Sequence, residues 1–409
     1  QGSLTVHRFP ARYARRCGTS CRPARSSNNE ADACSILLFV DEGRMFHKVI
    51  EHSRRYPEAT PLLMLSILPF LALTVHDSVR FVRKYFDATV PLDSNAVNRL
   101  RNASKALSSK GLHIEEYALE AKAITSTLTA SAKNHSGLFG DLLNAMQPDI
   151  AIVYCNGLPV STSYNVARYV GRADGGLKGV LANPDVVSRL GFDIGQAASV
   201  NYYTVAQLGI EESSLVSNKF EAESLDLHFS DLLIPLSCKG ISNIACFFML
   251  SDILTQLNSI TVLRNSGFFS DALQMKFATT VLLAACRSIS KFSRCVKPKP
   301  DRHECTSEGA EILSTMIPKS MRKEIERTSD LRNAFVHYDF SKLLDSKLGK
   351  CHDAGTILEM AIQSSVQKSV EEYLAWIVGT VDDLSKVIST LIELPAYGSS
   401  AGACRNVRA

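Results

Sequence analysis

Three side chains near residue 335 are of the types that chemistry on a phosphate group uses. The segment Leu331–Phe340 reads LRNAFVHYDF and holds Arg332, Asn333 and His337. Histidine moves protons near neutral pH, and the planar guanidinium of arginine matches phosphate oxygens. Asn333 is suited to donate to a phosphate oxygen or to hold the imidazole. Together these residue types suit proton transfer next to a bound phosphate group.

The helix that carries these residues is predicted to have two buried faces. An apolar stripe contains Ile317, Met321, Ile325, Leu331 and Phe335. With Leu331 at zero, Arg332 falls at ~100°, Val336 at ~140°, Phe340 at ~180°, Asn333 at ~200° and His337 at ~240°. Val336 and Phe340 would give this second face an apolar floor, so we expect it to lie against another subunit. Because Arg332 and His337 are about 140° apart, a two-fold partner would help them converge on one phosphate.

The segment resembles the R-x4-6-H motif of the HEPN superfamily, in which a polar residue, often Asn, follows the Arg. The match consists of Arg332, a four-residue spacer that opens with Asn333, and His337. The resemblance covers residues 225–395 and implies an all-α bundle that pairs as a homodimer. In HEPN ribonucleases two such motifs form one composite site that needs no metal and no cofactor. The resemblance therefore implies Arg332, Asn333 and His337 as catalytic residues and RNA as the substrate.

Helical periodicity extends over the whole C-terminal half of the chain. Long amphipathic runs predict a bundle of four or five helices. The basic residues that precede the motif favour a solvated, salt-bridged face over a guide for RNA, because Glu324 and Glu326 are interleaved with them. The predicted helices cover Ile241–Leu263, Phe268–Phe292, Ile317–Phe340 and Thr356–Leu394, and the basic residues are Lys319, Arg322, Lys323 and Arg327.

The N-terminal half alternates short apolar runs with amphipathic stretches, which predicts an α/β domain of Rossmann-like architecture over residues 34–215. In such a sheet a nucleotide ligand would bind beyond the strand ends. No phosphate-binding fingerprint follows a strand, and Asp41 and Asn156 favour cap or turn roles over ligand binding. The predicted strands are Ser35–Val40, Leu62–Leu68, Thr89–Leu92, Asp149–Tyr154 and Gly179–Ala182.

Composition gives a general frame for these two halves. The 409 residues are 45% hydrophobic and 21% charged, with a net charge of +4, so we expect a globular two-domain protein. Eleven scattered cysteines favour a reducing, cytoplasmic compartment over a disulfide framework. Cys17 with Cys21, and Cys295 with His303 and Cys305, lack the remaining ligands of a zinc site. Residues 1–33 and 396–409 are expected to be a disordered basic arm and a disordered tail.

The longest apolar run, Pro61 to Val75, is too short for a membrane span and is interrupted by Pro69. We therefore expect no membrane partner.

Three functions fit these patterns. The first is a metal-independent endoribonuclease regulated by the N-terminal domain, and the order of the domains resembles CARF–HEPN defence effectors in architecture alone. The second is a non-catalytic HEPN-like dimerisation or interaction protein. The third is a nucleotide-sugar-binding enzyme seated in the N-terminal half, suggested by the strand DIAIVY, the turn NGLPVS and a following helix.

Overall fold

The computed structural model describes several stretches of the chain. They are residues 29–56, 60–85, 114–132, 150–174, seven positions between 192 and 205, 222–228, 243–296, 315–344, 354–392, 394 and 405–407. The first part of the chain contains α1 (Asn29–Arg55), α2 (Thr60–Tyr85), α3 (Ile114–Ala132), β1 (Ile150–Cys155), β2 (Leu158–Thr162), α4 (Ser163–Asp174) and β3 (Ala222–Leu227). The second part contains α5 (Asn243–Asn265), α6 (Asp271–Val296), α7 (Lys319–Arg327), α8 (Ser329–His337), α9 (Ala354–Val366), α10 (Val370–Ile392) and β4 (Arg405–Val407).

The helical C-terminal half is confirmed by the structure. The predicted helices 241–263 and 268–292 correspond to α5 and α6, and Thr356–Leu394 divides into α9 and α10. The central helix α5 packs against α2, α3, α6, α10 and β2. This helix is apolar on nearly every side, as a helix surrounded by protein should be. Within the described residues, Ala245–Asn265 is the one stretch long and apolar enough to cross a membrane, and most of it is buried inside the protein.

The predicted helix Ile317–Phe340 is observed as two helices, Lys319–Arg327 and Ser329–His337, which are separated at Thr328. Here the chain makes a single-residue junction between α7 and α8, with φ −74° and ψ 0°. The hydroxyl of Thr328 donates to the carbonyl of Ile325 at 2.7 Å, and the backbone N–H of Thr328 donates to the same carbonyl. The short i to i+3 bond tightens the backbone into a 3₁₀-type turn, which separates α7 from α8.

The prediction of a Rossmann-like N-terminal domain is wrong, because helices replace its first two strands. Ser35–Val40 lies inside α1, and Leu62–Leu68 lies inside α2. Short apolar runs do not distinguish a buried strand from a buried helix segment. In α1 the buried positions continue at helical spacing through Cys34, Leu38, Met45 and Val49. The predicted strands Thr89–Leu92 and Gly179–Ala182 lie outside the described residues.

The sheet is small and antiparallel, in contrast to the parallel sheet expected. Asp149–Tyr154 is confirmed as a strand by β1, which pairs with β2 on one side and β3 on the other, both antiparallel; β4 extends the order to β2-β1-β3-β4. The turn between β1 and β2 is Asn156–Gly157, with φ of 49° and 79°. Two left-handed residues close a tight hairpin, and a hairpin reverses the chain without a crossover helix.

One hydrophobic core joins the N-terminal helices to the C-terminal bundle. Helix α1 packs on α6 and α9, and α2 packs on α5 and α8. Their buried side chains belong to one continuous cluster. The predicted boundary between residues 215 and 225 falls largely on residues that the structure does not describe, as do nearly all positions of the predicted arm 1–33 and tail 396–409.

Candidate active site

Helix α8 carries all three residues of the Arg-x4-His motif. Asn333 and His337 are exposed, and Arg332 is half-buried. The guanidinium Nη1 of Arg332 donates to Oδ1 of the neighbouring Asn333 at 3.1 Å. His337 is the last residue of the helix, and its side chain is 40% exposed. The motif thus lies on the protein surface, where a large substrate has access to it.

A buried carboxylate from α2 holds the His337 ring. Nδ1 of His337 lies 3.3 Å from Oδ1 of Asp77, and Nδ1 of the buried His76 lies 3.2 Å from the same oxygen. Burial by itself raises the pKa of Asp77, but the hydrogen bonds from His337 and His76 outweigh it and hold the pKa well below its usual range. Asp77 is therefore an ionised acceptor that fixes the orientation of the imidazole.

This arrangement leaves the other ring nitrogen of His337 for a substrate. With Nδ1 engaged by Asp77, Nε2 has no hydrogen-bond partner within the described residues. A histidine oriented by a carboxylate is the arrangement that general acid–base catalysis uses, because the carboxylate fixes the tautomer and stabilises the imidazolium that forms.

Tyr338 anchors the end of α8 in the core. It adopts the left-handed conformation, with φ 52° and ψ 42°, and its carbonyl accepts a hydrogen bond of 2.8 Å from Ser35 in α1. Its hydroxyl donates to the carboxylate of Glu42, and its ring packs on Phe81 at 5.0 Å between centroids. A bulky residue in this conformation is strained, and the surrounding contacts stabilise it. These contacts fix the backbone that follows His337.

A buried ion pair lies beneath Tyr338. Lys276 from α6 donates to Glu42, and the side chains of the two residues are 2% and 0% exposed. The ammonium of Lys276 also lies 4.4 Å from the centroid of the Tyr338 ring. Burial raises the pKa of Glu42, while the charge of Lys276 opposes that rise. The end of the motif helix is thus fixed by charged groups from both α1 and α6.

Val336 and Phe340 do not form the floor of an interface between subunits. They are 5% and 0% exposed within this single chain, and the ring of Phe340 packs edge-on against Phe335 at 5.8 Å. These two side chains are therefore buried within the chain itself, while Asn333 and His337 on the same face of α8 stay exposed. The apolar character of Val336 and Phe340, which suggested a dimer, is explained by their burial within one chain. The homodimer stays a prediction.

The other residues singled out from the sequence have structural roles. Asp41 lies inside α1, where its carboxylate accepts hydrogen bonds from Ser270 at 2.6 Å and from Arg44 at 3.0 Å. Asn156 occupies the hairpin turn, as its turn role predicted. No group of three or more His, Cys, Asp or Glu side chains that could hold a metal ion occurs in the described stretches. Cys17, Cys21, His303 and Cys305, which belong to the two incomplete ligand sets in the sequence, fall outside those stretches.

A second buried charge cluster is fully paired. Arg168 in α4 donates to Asp252 at 2.6 Å and to Glu120 at 3.2 Å, and its guanidinium lies 4.6 Å from the centre of the Tyr117 ring. Although burial acts to lower the pKa of Arg168, the charge of Asp252 holds it above its usual range. These contacts join α3, α4 and α5. The cluster is a structural contact between helices and offers no exposed group to a ligand.

No protein-family model matches this chain, and neither curated proteins nor solved structures give a match. The class that the fold and site define is therefore a helical bundle with a small antiparallel sheet, in which an exposed histidine on α8 is held by a buried aspartate of α2. Any function rests on these residues themselves.

Proposed function

We propose that this protein is a metal-independent endoribonuclease of the HEPN type, with His337 as its general base and Asp77 as the residue that positions it. The observation that supports the proposal is the hydrogen bond between His337 and the ionised, buried Asp77. A histidine on a solvated surface does not need such a partner. A histidine that moves a proton is more effective with a carboxylate partner, because the carboxylate stabilises the positive charge that develops on the ring.

The reaction we assign is transesterification. Nε2 of His337 takes the proton of the 2′-hydroxyl, whose oxygen then attacks the adjacent phosphorus. The bond from phosphorus to the 5′-oxygen breaks, and that oxygen takes a proton from a second acid. The products are a 2′,3′-cyclic phosphate and a 5′-hydroxyl. Arg332 offsets the charge on the phosphate oxygens, and Asn333 holds the guanidinium through the contact of 3.1 Å.

The second acid and the geometry of Arg332 are the reasons to expect a paired site. Arg332 and His337 are about 140° apart around α8, so one helix does not direct both at one phosphate. A second copy would supply an arginine and a histidine from the opposite side, as the HEPN resemblance implies. If a second copy does not bring the two motifs together, the wide angle between Arg332 and His337 favours the second candidate, a non-catalytic HEPN-like interaction protein.

The N-terminal helices are part of this site. Asp77 comes from α2 and Glu42 from α1. A fragment that starts after residue 220 lacks both, so we expect it to be inactive, and the test requires the full chain. The nucleotide-sugar hypothesis and the CARF-like sensor both depended on a parallel sheet that the structure replaces with helices.

The test is cleavage of a mixed single-stranded RNA in EDTA by the wild type, His337→Ala and Asp77→Asn, purified in parallel. We expect 2′,3′-cyclic ends from the wild type and none from His337→Ala. Asp77→Asn should lose between about 10²- and 10⁴-fold in turnover, as histidines deprived of an orienting carboxylate do. His47→Ala is the matched control, because His47 lies on α1 and stacks on Tyr202 with ring centroids 5.4 Å apart. It should cleave like the wild type.

Cleavage that persists in folded His337→Ala would overturn the assignment of the base. If the wild type cleaves no RNA even at concentrations at which it forms dimers, the non-catalytic interaction protein is favoured.

A further inference from the structure

The helix that leads into the motif presents a row of cations to solvent. Lys319, Lys323 and Arg327 occupy positions i, i+4 and i+8 of α7, and all three are exposed. With Lys319 at zero they fall within about 80°, whereas the buried Ile325 falls near ~240°. The row, here called the α7 cation row, therefore lies opposite the face that α7 buries.

The two acids of α7 do not neutralise this row, in contrast to the salt-bridged face that the sequence favoured. Glu326 accepts three hydrogen bonds from Nε and Nη2 of Arg287 of α6, at 3.0 to 3.3 Å. Glu324 pairs with Lys368 at 3.0 Å. Both acids are thus engaged by cations from elsewhere in the fold. In the described part of the chain, none of the three row cations has an ion-pair or hydrogen-bond partner.

The row also stands next to the candidate site along the chain. Arg327 ends α7, one helical-type residue connects it to α8, and Arg332 and His337 follow. Rows of exposed cations two turns long bind a polyanion through its backbone charges, which repeat along the strand. Asp330, an exposed acid at the start of α8, is an unfavourable neighbour for such a strand.

We propose that the α7 cation row binds the sugar-phosphate backbone of a single RNA strand and leads that strand to His337. This inference rests on the proposed ribonuclease function and adds the surface that holds the substrate. The row contributes affinity without base specificity, because lysine and arginine at an exposed helix face contact phosphates and not base edges.

The experiment measures binding separately from cleavage, in the full-length His337→Ala protein. A fluorescently labelled single-stranded RNA is titrated at several salt concentrations, and anisotropy gives the affinity. The test variant adds Lys319→Gln, Lys323→Gln and Arg327→Gln, which keep a good helix-forming residue at each position. The matched control instead neutralises Arg55, Lys122 and Lys386, three exposed cations on α1, α3 and α10.

Each phosphate contact with a single strand contributes about 0.7 to the slope of log affinity against log salt. Loss of the row should therefore reduce that slope by about 2, which amounts to about 100-fold weaker binding at 0.1 M salt if the two lines meet near 1 M. The control should bind like the parent protein. Asp330→Asn should bind a few-fold more tightly, because it removes a repulsive charge.

An unchanged slope in the row variant, or an equal loss in the control, would overturn the proposal. So would a parent protein that binds no RNA. Cleavage tests the nuclease proposal separately, with the three row substitutions made in a protein that keeps His337. If this variant binds and cleaves RNA like the wild type, the proposed role of the α7 cation row is refuted and the nuclease proposal is not.

Discussion

Lys276 and Glu42 form an ion pair that water does not reach, directly beneath the end of the motif helix. Removing one member of a buried pair leaves the other charge uncompensated, which costs about 3–5 kcal/mol. We therefore expect Lys276→Met to lower the free energy of unfolding by about that amount at pH 8. Methionine keeps most of the volume and the apolar stem, so loss of packing contributes little.

The pH dependence identifies the cause of the loss. Burial raises the pKa of Glu42, and Lys276 counteracts that rise. Without Lys276 the folded-state pKa of Glu42 moves further above the unfolded value of about 4.3. Stability linked to a raised carboxyl pKa is complete below the unfolded pKa and is lost as pH rises through the folded pKa. The cost of Lys276→Met should thus grow from pH 5 to pH 8, by at most about 1.4 kcal/mol per pH unit.

The assay is urea unfolding of the wild type, Lys276→Met, Glu42→Gln and the double variant at pH 5 and pH 8. Asp77 does not disturb the comparison, because its pKa is lowered and its contribution changes only below about pH 3.9. In the double variant the hydroxyl of Tyr338 still has an amide oxygen to donate to, so it should be more stable than Lys276→Met at pH 8. The reasoning is refuted if Lys276→Met costs under about 1 kcal/mol at pH 8, or the same at both pH values.

Two further changes test the packing. A Cβ on Gly43 would lie 2.3 Å from Cγ2 and 2.8 Å from Cβ of Val205, so Gly43→Ala should destabilise the protein by about 1–3 kcal/mol. A Cβ on Gly379 of α10 meets nothing within 4 Å, so Gly379→Ala should stabilise the protein by about 0.5–1 kcal/mol. Equal urea midpoints for the two variants would contradict the close approach of Val205 to Gly43. Arg168→Met should cost about 3–5 kcal/mol because it removes the cation that pairs with the buried Asp252 and the partly buried Glu120, while Arg80→Met on the exposed face of α2 should stay within about 0.5 kcal/mol in the same urea titration.

Local periodicity was sufficient for the C-terminal helices. The helix predicted over 241–263 is observed over 243–265, because an apolar segment of more than twenty residues is far longer than a strand. The same argument failed at Ser35–Val40 and Leu62–Leu68. The two runs are six and seven residues long, which is the length of a strand, and only the helices packed on either side of them select the helical form.

Strand β1 was predicted correctly as a strand, but it belongs to an antiparallel sheet and not to the parallel sheet that was expected. Asp149–Tyr154 was recognisable as a strand from its continuous apolar residues, but such a run also suits a parallel sheet. The pairing was decided by the next two residues. Asn156 and Gly157 both adopt positive φ and reverse the chain at once, so β2 returns antiparallel to β1.

The sequence by itself determined where the motif would lie: on an amphipathic helix, with Asn333 and His337 near one another on one face. Only the tertiary structure decided what surrounds it. Asp77 stands 260 residues before His337, and Glu42 stands 296 residues before Tyr338. A hydrogen bond over such a separation leaves no periodic pattern in the chain, because it depends on how α1 and α2 pack against α6 and α8. Packing also placed Val336 and Phe340 in the interior of one chain, where the sequence had suggested the surface between two.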